Sequence, residues 1–149
     1  MTINIRNADT SDLDDLVNLF DKYMNFYGQV SEIGRFKRYL EARMINSEAS
    51  IFLAYDEHGQ GVGFVLNYIT FSSVSLAKII ILNDLYVDSR YRKLGVGGML
   101  VEKSLSLAKQ IGAAEVRLST ATDNQTAQSL YDKLGFKRNS EFFAYAYSI

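Results

Sequence analysis

The chain has 149 residues, of which 48% are hydrophobic and 22% charged, the composition of one folded domain with its own core. Its net charge of -1 offers no general attraction to nucleic acid or to an anionic membrane, so any anion must be bound locally. The absence of cysteine excludes disulfides, thiolate metal clusters and a cysteine nucleophile. With neither a signal-peptide pattern nor a run of ~20 apolar residues, a single cytoplasmic domain over residues 1–149 is expected, without membrane contact.

The first third of the sequence predicts a short strand and two amphipathic helices. Ile3 and Ile5 alternate with polar neighbours, as the residues of a half-buried strand do. Thr10 or Ser11 is expected to cap the first helix, which ends at Gly28. The second helix is predicted from an apolar stripe at Ile33, Phe36, Leu40 and Met44.

The centre of the sequence predicts a β-hairpin followed by a long strand. Residues 49–55 and 61–71 are rich in Ile, Phe, Val and Tyr, and residues 56–60 form the turn between them. The next strand, residues 78–87, contains the polar pair Asn83-Asp84 where buried sheet is expected. Two polar residues in a buried strand require a structural or functional reason.

The last third predicts a helix, a strand, a second helix and two closing strands. The first helix runs from about residue 95 to 111, is stopped by Gly112, and is followed by a strand at 115–120. Asp123 is expected to cap the next helix, and the chain closes with an aromatic strand at 142–147. The order of elements indicates a mixed α/β domain.

The segment at residues 92–98, Arg-Lys-Leu-Gly-Val-Gly-Gly, lies where a strand leads into a helix. A first helical turn presents unpaired N–H groups, glycine lets phosphate approach them, and Arg92 and Lys93 add positive charge. A Walker loop and a dinucleotide-binding turn are both excluded, because Gly97 is followed by Gly98 and Met99 and the third dinucleotide glycine falls at Leu100. The residues alone leave two interpretations open, a phosphate-binding turn and a glycine-rich helix start packed on the sheet.

The spacing Arg-x-x-Gly-x-Gly at this junction resembles that of the Gcn5-related N-acetyltransferase family. Asn83-Asp84-Leu85-Tyr86-Val87, Asn124 and residues 130–136 extend the resemblance over essentially the whole chain. It implies an α/β fold in which four helices flank a mixed, mostly antiparallel sheet of six to seven strands with splayed fourth and fifth strands. It also implies acetyl-CoA as the cofactor. Residues 71–75, Phe-Ser-Ser-Val-Ser, make the chain most similar to small polyamine, thialysine and histone-type acetyltransferases.

The resemblance implies a cofactor site along one strand and the loop after it. The strand at Leu85 to Val87 is expected to end in a bulge and to leave the next strand, so that pantetheine pairs with its exposed amides. The N–H of Leu85 or of a neighbour would polarise the thioester, without a metal or a covalent intermediate. The residues expected to bind the cofactor are Leu85, Tyr86, Val87, Arg92, Lys93, Leu94, Gly95, Val96, Gly97, Gly98, Asn124 and Tyr131.

The resemblance also implies direct attack by a primary amine, polyamine, lysine-like or another small amine, in a ternary complex. Tyr131 is the expected general acid for the leaving thiolate, although it equally fits the apolar face of its helix. The related polyamine enzymes have Glu-Asp at the positions of Asn83 and Asp84, and Asn83 cannot accept a proton. Asp84 is therefore expected to relay the proton or bind the amine, or else to be a structural strand-end residue. The acceptor-side residues are Tyr23, Tyr27, Asn83 and Asp84.

Three further hypotheses concern what the chain binds, and one expectation concerns His58. A cofactor-sensing module that has lost catalysis is the alternative function, because Asn83 stands where a glutamate is expected. Nucleic-acid binding by the cations at 35–38 has little support, since the patch is short and lacks interleaved aromatic residues. The aromatic strand at 142–147 is expected to pair across a homodimer. His58 is expected to face solvent in its turn.

Overall fold

The structure is a computed structural model that describes residues 1–149, and it contains five strands and four α-helices. None of these helices is both long and apolar enough to cross a membrane. The chain forms two compact units, Met1–Ser119 and Thr120–Ile149. The elements are β1 (Asn4–Asn7), α1 (Leu13–Phe26), α2 (Ile33–Ile45), β2 (Ala49–Tyr55), β3 (Gly61–Ser72), β4 (Ala77–Val87), α3 (Val96–Ile111), β5 (Val116–Arg117) and α4 (Gln125–Lys133).

The sheet has the order β1-β2-β3-β4-β5, with antiparallel pairing except between β4 and β5, which are parallel. The prediction of a mixed, mostly antiparallel sheet with four helices is confirmed, but the prediction of six to seven strands is wrong. Residues 134–149 form no strand. Their aromatic alternation suits a strand, but strand preference takes effect only when a neighbouring strand offers backbone partners. The predicted single domain over residues 1–149 stays a prediction.

Helices α1 and α2 cover one face of the sheet. Leu16 and Phe20 of α1 are buried one turn apart, and so are Phe36 and Leu40 of α2. The rings of Phe20 and Phe36 meet edge to face, with 5.4 Å between their centroids. Ile33 is exposed, so the buried stripe of α2 is shorter than predicted. The sheet contributes Ile51, Leu53, Tyr55, Phe64 and Leu66 to this core.

Helix α3 covers the opposite face of the same sheet. Phe64 of β3 packs against Phe20 of α1, with 6.1 Å between their ring centroids, so the adjacent Gly63 faces the other way. A Cβ built on Gly63 would lie 3.3 Å from Cδ1 of Leu100 in α3. The helix ends at Gly112, whose left-handed φ of 73° confirms the predicted stop. Its buried residues are Val96, Leu100, Val101, Ser104 and Ala108.

The start of α1 differs from the prediction that Thr10 or Ser11 caps it. Asp9 caps a 3-10 turn that precedes the helix, and its Oδ1 accepts a hydrogen bond from the Ser11 N–H at 2.8 Å. The Asp12 carboxylate accepts one in return from the Asp9 N–H at 3.0 Å. This reciprocal box satisfies two amide donors, whereas a lone Thr or Ser cap would satisfy one.

The start of α4 also differs from the prediction, because the cap is Asn124 and not Asp123. The Asn124 Oδ1 accepts a hydrogen bond from the Ala127 N–H at 3.1 Å. Adjacent Asp and Asn residues are equally good caps by composition, so the backbone conformation decides which one reaches the first turn. The predicted strand at 115–120 is likewise reduced to the two residues of β5.

We expect Gly63→Ala to destabilise the sheet. The new Cβ would lie 2.9 Å from the carbonyl oxygen of Tyr86, so strands β3 and β4 must shift to admit it. The expected loss is about 1 to 3 kcal/mol of unfolding free energy, measured by urea denaturation. Gly34→Ala in α2 is the matched control, because its Cβ meets only the Arg38 side chain, at 3.4 Å. Equal stability of the two variants would contradict this packing.

Candidate functional site

Strand β4 carries a bulge at the polar pair that interrupts it. Leu66 of β3 pairs with Asp84 and Asn67 pairs with Leu82, which leaves Asn83 as the extra residue on β4. An extra residue bends the strand and re-aims the side chains that follow it. The bulge precedes the segment from residue 85 to 87 instead of ending it, and the ladder with β3 continues to Val87. The polar pair is thus the sequence signal of the bulge.

Asp84 is held between the bulge and helix α1. The hydroxyl of Tyr23 donates a hydrogen bond to its Oδ1 at 2.6 Å. The side-chain amide of Asn83 donates another to its Oδ2 at 3.0 Å. A carboxylate has about four acceptor positions, so these two bonds orient Asp84 and leave capacity for a further donor. The structure therefore brings three of the four predicted acceptor-side residues together.

A pair of hydrogen-bonded tyrosines was missed by sequence reasoning. Tyr39 of α2 and Tyr68 of β3 share a hydrogen bond of 2.5 Å between their hydroxyl oxygens. Burial raises the pKa of Tyr68, and the Tyr39 hydrogen bond and the Asp84 charge raise it further. No sequence pattern marks this pair, because it forms only when α2 packs on the sheet.

The edge of β4 that faces β5 is paired only in part. Pairing is limited to Ile80 with Val116 and Ile81 with Arg117. Strand β4 continues for six residues beyond Ile81, to Val87, with β3 as its neighbour on the other side. The backbone from Leu82 to Val87 therefore presents an edge that no strand covers. This is the edge at which the resemblance places splayed strands.

The end of β4 is anchored to α1 by the buried residue Asp88. Its carboxylate accepts hydrogen bonds from Lys22 Nζ at 2.8 Å and from Arg90 Nε at 3.2 Å. Burial acts to raise the pKa of Asp88, but the bonds from Arg90 and Lys22 outweigh burial and hold it below its ordinary range. These hydrogen bonds to Asp88 fix the position from which the chain enters the loop at residues 92–98.

The loop at residues 92–98 leads directly into α3. Lys93 has a left-handed φ of 62° and Gly95 one of 84°, and Gly95 is the N-cap of the helix. A glycine cap has no side chain, so no side-chain hydrogen bond closes the first turn. Arg92 and Lys93 are exposed, as is Leu94. The first turn contains Gly97 and Gly98, and its amides and positive dipole suit a phosphate.

Arg92 is folded back onto the protein. Its Nε donates a hydrogen bond to the Val87 carbonyl oxygen at 2.9 Å. Its guanidinium lies over the rings of Phe26 and Tyr86, 5.2 Å and 5.5 Å from their centroids. Sequence reasoning missed the Phe26 contact, because it depends on how the end of α1 meets β4.

Two further predicted site residues belong to the second unit. Asn124 caps α4, and Tyr131 lies on that helix, half-buried, with its ring 5.6 Å from that of Phe136. No residue of α4 is fully buried, so Tyr131 is not a fully enclosed core residue.

Other candidate residues lie on the surface. Tyr27 is 56% exposed, so it does not continue the buried stripe of α1. Its ring meets that of Tyr23 at 5.0 Å. His58 faces solvent in the hairpin turn, as predicted. The cations Arg35 and Lys37 pair with exposed carboxylates, as in a solvated helix face.

Comparisons with known proteins agree with this geometry. The profile of the Acetyltransferase (GNAT) family matches residues 13–136. The uncharacterized N-acetyltransferase YhfO of Bacillus subtilis is 40% identical over 147 residues, 99% of this chain and 98% of that protein. The D-amino-acid N-acetyltransferase HPA3 of Saccharomyces cerevisiae is 36% identical over 107 residues, 68% of this chain and 65% of that protein. The crystal structure of a probable acetyltransferase superposes with a TM-score of 0.93 at 37% identity, covering 98% and 97% of the two chains.

The fold is that of an acetyltransferase. The mixed sheet, the partly unpaired β4 edge and the glycine-rich start of α3 occur together in one unit. The chain belongs to the GNAT acetyltransferase family, and it is an acetyl-CoA-dependent N-acetyltransferase.

The residues present fit this cofactor. A pyrophosphate needs hydrogen-bond donors and positive charge, which the uncapped first turn of α3 and the exposed Arg92 and Lys93 offer. A chain of amides such as pantetheine needs an unpaired strand edge, which β4 offers beyond Ile81. Both features lie in the unit Met1–Ser119.

Proposed function

We propose that this enzyme transfers an acetyl group to a primary amine by direct attack in a ternary complex. The observation that carries the proposal is that an oriented carboxylate, Asp84, lies on the same strand as the unpaired β4 edge. The glycine-rich turn begins five residues after that strand ends, which supports cofactor and acceptor sites at the same end of β4. The acceptor would approach from the side of α1, where the Tyr23 hydroxyl is bonded to Asp84 and the Tyr27 ring packs against Tyr23.

Acetyl-CoA supplies an activated thioester, and the chain would bind it through two segments. The backbone N–H and C=O groups of β4 would pair with the pantetheine amides, and the N–H of Leu85 or of a neighbour would polarise the thioester carbonyl. The first turn of α3 would hold the pyrophosphate. The residues proposed to bind the cofactor are Leu85, Tyr86, Val87, Arg92, Lys93, Leu94, Gly95, Val96, Gly97, Gly98, Asn124 and Tyr131.

Asp84 would act on the acceptor amine. An alkyl ammonium has no lone pair for attack, so a nearby group must hold the cation and take up its proton. Asp84 has acceptor capacity beyond its bonds from Tyr23 and Asn83, and those bonds keep its carboxylate in one orientation. Asn83 would position Asp84 at the place where the related polyamine enzymes have a glutamate, and catalysis would then not require that glutamate.

Tyr131 would protonate the departing thiolate, and the proton that the attacking nitrogen loses as the amide forms would restore the phenol. A phenol with a pKa of about 10 is a suitable acid for a thiolate, whose conjugate acid has a pKa of about 8.5. Asn124 would bind the cofactor through the part of its side chain that the Ala127 N–H does not use.

The acceptor we propose is a small primary amine. The yeast relative HPA3 is named for acetylation of D-amino acids, which supports a small acceptor in general. The sequence Phe-Ser-Ser-Val-Ser at 71–75 instead supports a polyamine or thialysine as the acceptor, because it resembles the sequence of acetyltransferases that act on those amines. A screen must therefore cover both classes.

The test is a thiol-release assay with acetyl-CoA and a panel of polyamines, lysine analogues, aminoglycosides, amino acids and peptide amines. The chain has no cysteine, so a thiol reagent reads only released coenzyme A. We expect amine-dependent thiol release and an acetylated product by mass spectrometry. Tight cofactor binding without turnover for any amine would instead favour the cofactor-sensing module.

We also propose that the enzyme is a cytoplasmic homodimer. The C-terminal residues after α4 form no helix or strand, yet they expose large aromatic side chains. Phe143, Tyr145 and Tyr147 are each at least 90% exposed and alternate as strand residues do. A second copy would offer this segment a strand partner. Sedimentation is expected to give twice the 16.8 kDa chain mass, and a monomer at all concentrations would refute the dimer.

A further inference from the structure

The end of helix α1 and strand β4 together form an aromatic surface that already holds a cation. The Arg92 guanidinium lies over the rings of Phe26 and Tyr86, at 5.2 Å and 5.5 Å from their centroids. Both distances are within the ~6 Å at which a cation is attracted to the face of an aromatic ring. These two ring faces thus bind positive charge in the absence of any ligand.

This aromatic surface adjoins the carboxylate assigned to the acceptor. The Tyr23 ring lies 6.3 Å from the Tyr86 ring, and the Tyr23 hydroxyl is bonded to Asp84 at 2.6 Å. Tyr27 stacks edge to face against both Tyr23 and Phe26, at 5.0 Å and 5.3 Å. One continuous set of rings therefore connects Asp84 to the position of the guanidinium.

The occupant of this surface is a residue with a second role. Arg92 is the first residue of the turn proposed to hold the cofactor pyrophosphate, and a guanidinium pairs more strongly with phosphate than with ring faces. When Arg92 turns to the cofactor, the faces of Phe26 and Tyr86 lose their cation. They would then be two partly exposed aromatic faces, connected to the Asp84 carboxylate through Tyr23, which is an arrangement that suits another cation.

Of the other cations near this end of β4, Lys93 is assigned to the cofactor, and two more are not available to bind an acidic acceptor. Lys22 and Arg90 are both bonded to Asp88. With Arg92 on the cofactor, the acceptor side has aromatic rings, phenol hydroxyls and the carboxylate of Asp84. This surface favours a cationic alkyl amine over an amine that carries its own carboxylate.

We propose that Phe26 and Tyr86 form a cation subsite that Arg92 fills in the free enzyme and the acceptor fills in the ternary complex. The proposal rests on the proposed function. The acceptor is accordingly an amine with a second positive charge, an alkyl diamine or longer polyamine, with the reacting nitrogen at Asp84 and the other over the two rings. Cofactor binding would prepare the acceptor site by removing Arg92 from it.

The first test needs no cofactor and no turnover. 1,5-Diaminopentane is titrated into the cofactor-free wild-type protein and Arg92→Gln, and amide shifts are followed by NMR. Because Arg92→Gln removes the competing cation, we expect it to bind the diamine about three- to tenfold more tightly than wild type. Adding Phe26→Leu to Arg92→Gln should abolish that gain. Equal affinity of wild type and Arg92→Gln, or a gain that survives Phe26→Leu, would overturn the proposal.

Two control variants distinguish binding at this subsite from the effects of losing any exposed charge or any exposed aromatic ring. Lys93→Gln removes an adjacent exposed charge that contacts neither ring, and we expect diamine affinity to change by less than about twofold. Phe71→Leu, added to Arg92→Gln, removes an exposed phenylalanine of β3 and should leave the gain intact. If Lys93→Gln raised the affinity for the diamine as much as Arg92→Gln does, the increase would come from the change in net charge. That result would refute the subsite.

The second test uses the enzyme with acetyl-CoA. We expect kcat/KM for 1,5-diaminopentane to exceed that for pentylamine by about tenfold, and Phe26→Leu to reduce this ratio toward one. A ratio of one in wild type would overturn the subsite while leaving acetyl transfer intact. If the NMR gain is found but no amine is acetylated, the cation subsite stands and the proposed function fails.

Discussion

Tyr131→Phe is expected to lower kcat about 100-fold or more while leaving acetyl-CoA affinity nearly unchanged. A positioned general acid contributes about 10²- to 10⁴-fold, and phenylalanine keeps the ring, and so its contact with Phe136, while removing the proton. Rapid-mixing measurement of thiol release, together with calorimetric titration of the cofactor, separates the two effects. Because substrate binding does not need the hydroxyl proton, the loss should appear in kcat and in kcat/KM alike.

Tyr145→Phe is the matched control for this experiment. Tyr145 lies in the same unit as Tyr131 and is 93% exposed, so loss of its hydroxyl should leave turnover within about twofold of wild type. Full activity in Tyr131→Phe would refute its role as the general acid. Tyr131 would then be a packing residue on the apolar face of α4. A loss of cofactor affinity without a change in kcat would make it a binding residue only.

Asp84→Asn is expected to lower kcat/KM about 100-fold or more near neutral pH. Asparagine can still accept the hydrogen bond from Tyr23 through its amide oxygen, so the fold and the bulge should persist. The amide can neither take up a proton nor attract a cation. Thiol-release kinetics over a range of pH, with circular dichroism to verify folding, measure the effect.

The pH dependence distinguishes a base from a merely structural aspartate. As pH rises toward the pKa of an alkyl amine, about 10, more acceptor is already deprotonated and the need for a base declines. The loss in Asp84→Asn should therefore shrink at high pH. Asp14→Asn, at an exposed carboxylate of α1, should show no loss at any pH. A loss in Asp84→Asn that is the same at every pH would indicate that Asp84 serves structure or charge alone.

Much of the fold could be predicted because local patterns and tertiary packing agree. The hairpin is found at Ala49–Tyr55 and Gly61–Ser72, close to its predicted ranges, because buried β-branched and aromatic runs with a polar turn have few alternatives. The end of α3 at Gly112 follows from glycine in the left-handed conformation. Where several residues compete for one role, as Asp123 and Asn124 do for a cap, composition does not decide.

The two predicted closing strands were wrong for a different reason. A strand is defined by its partner, and the alternation of Phe143, Tyr145 and Tyr147 describes a preference without supplying a neighbouring backbone. The same limit applies to the site. The polar pair Asn83-Asp84 could be recognised as unusual in a buried strand, whereas the contacts of Asp84 with Tyr23 and of Arg92 with Phe26 arise only when α1 meets β4.

The proposal that coenzyme A binds along β4 and the start of α3 is tested most directly by NMR. Amide chemical shifts are mapped while the protein is titrated with coenzyme A. If the cofactor lies along β4 and the start of α3, the largest changes should fall on Leu85, Val87, Gly97 and Gly98. Amides of β1 and of the hairpin turn at 56–60 should remain unchanged. Saturable binding that leaves the amides of β4 and of the first turn of α3 unperturbed would contradict the account.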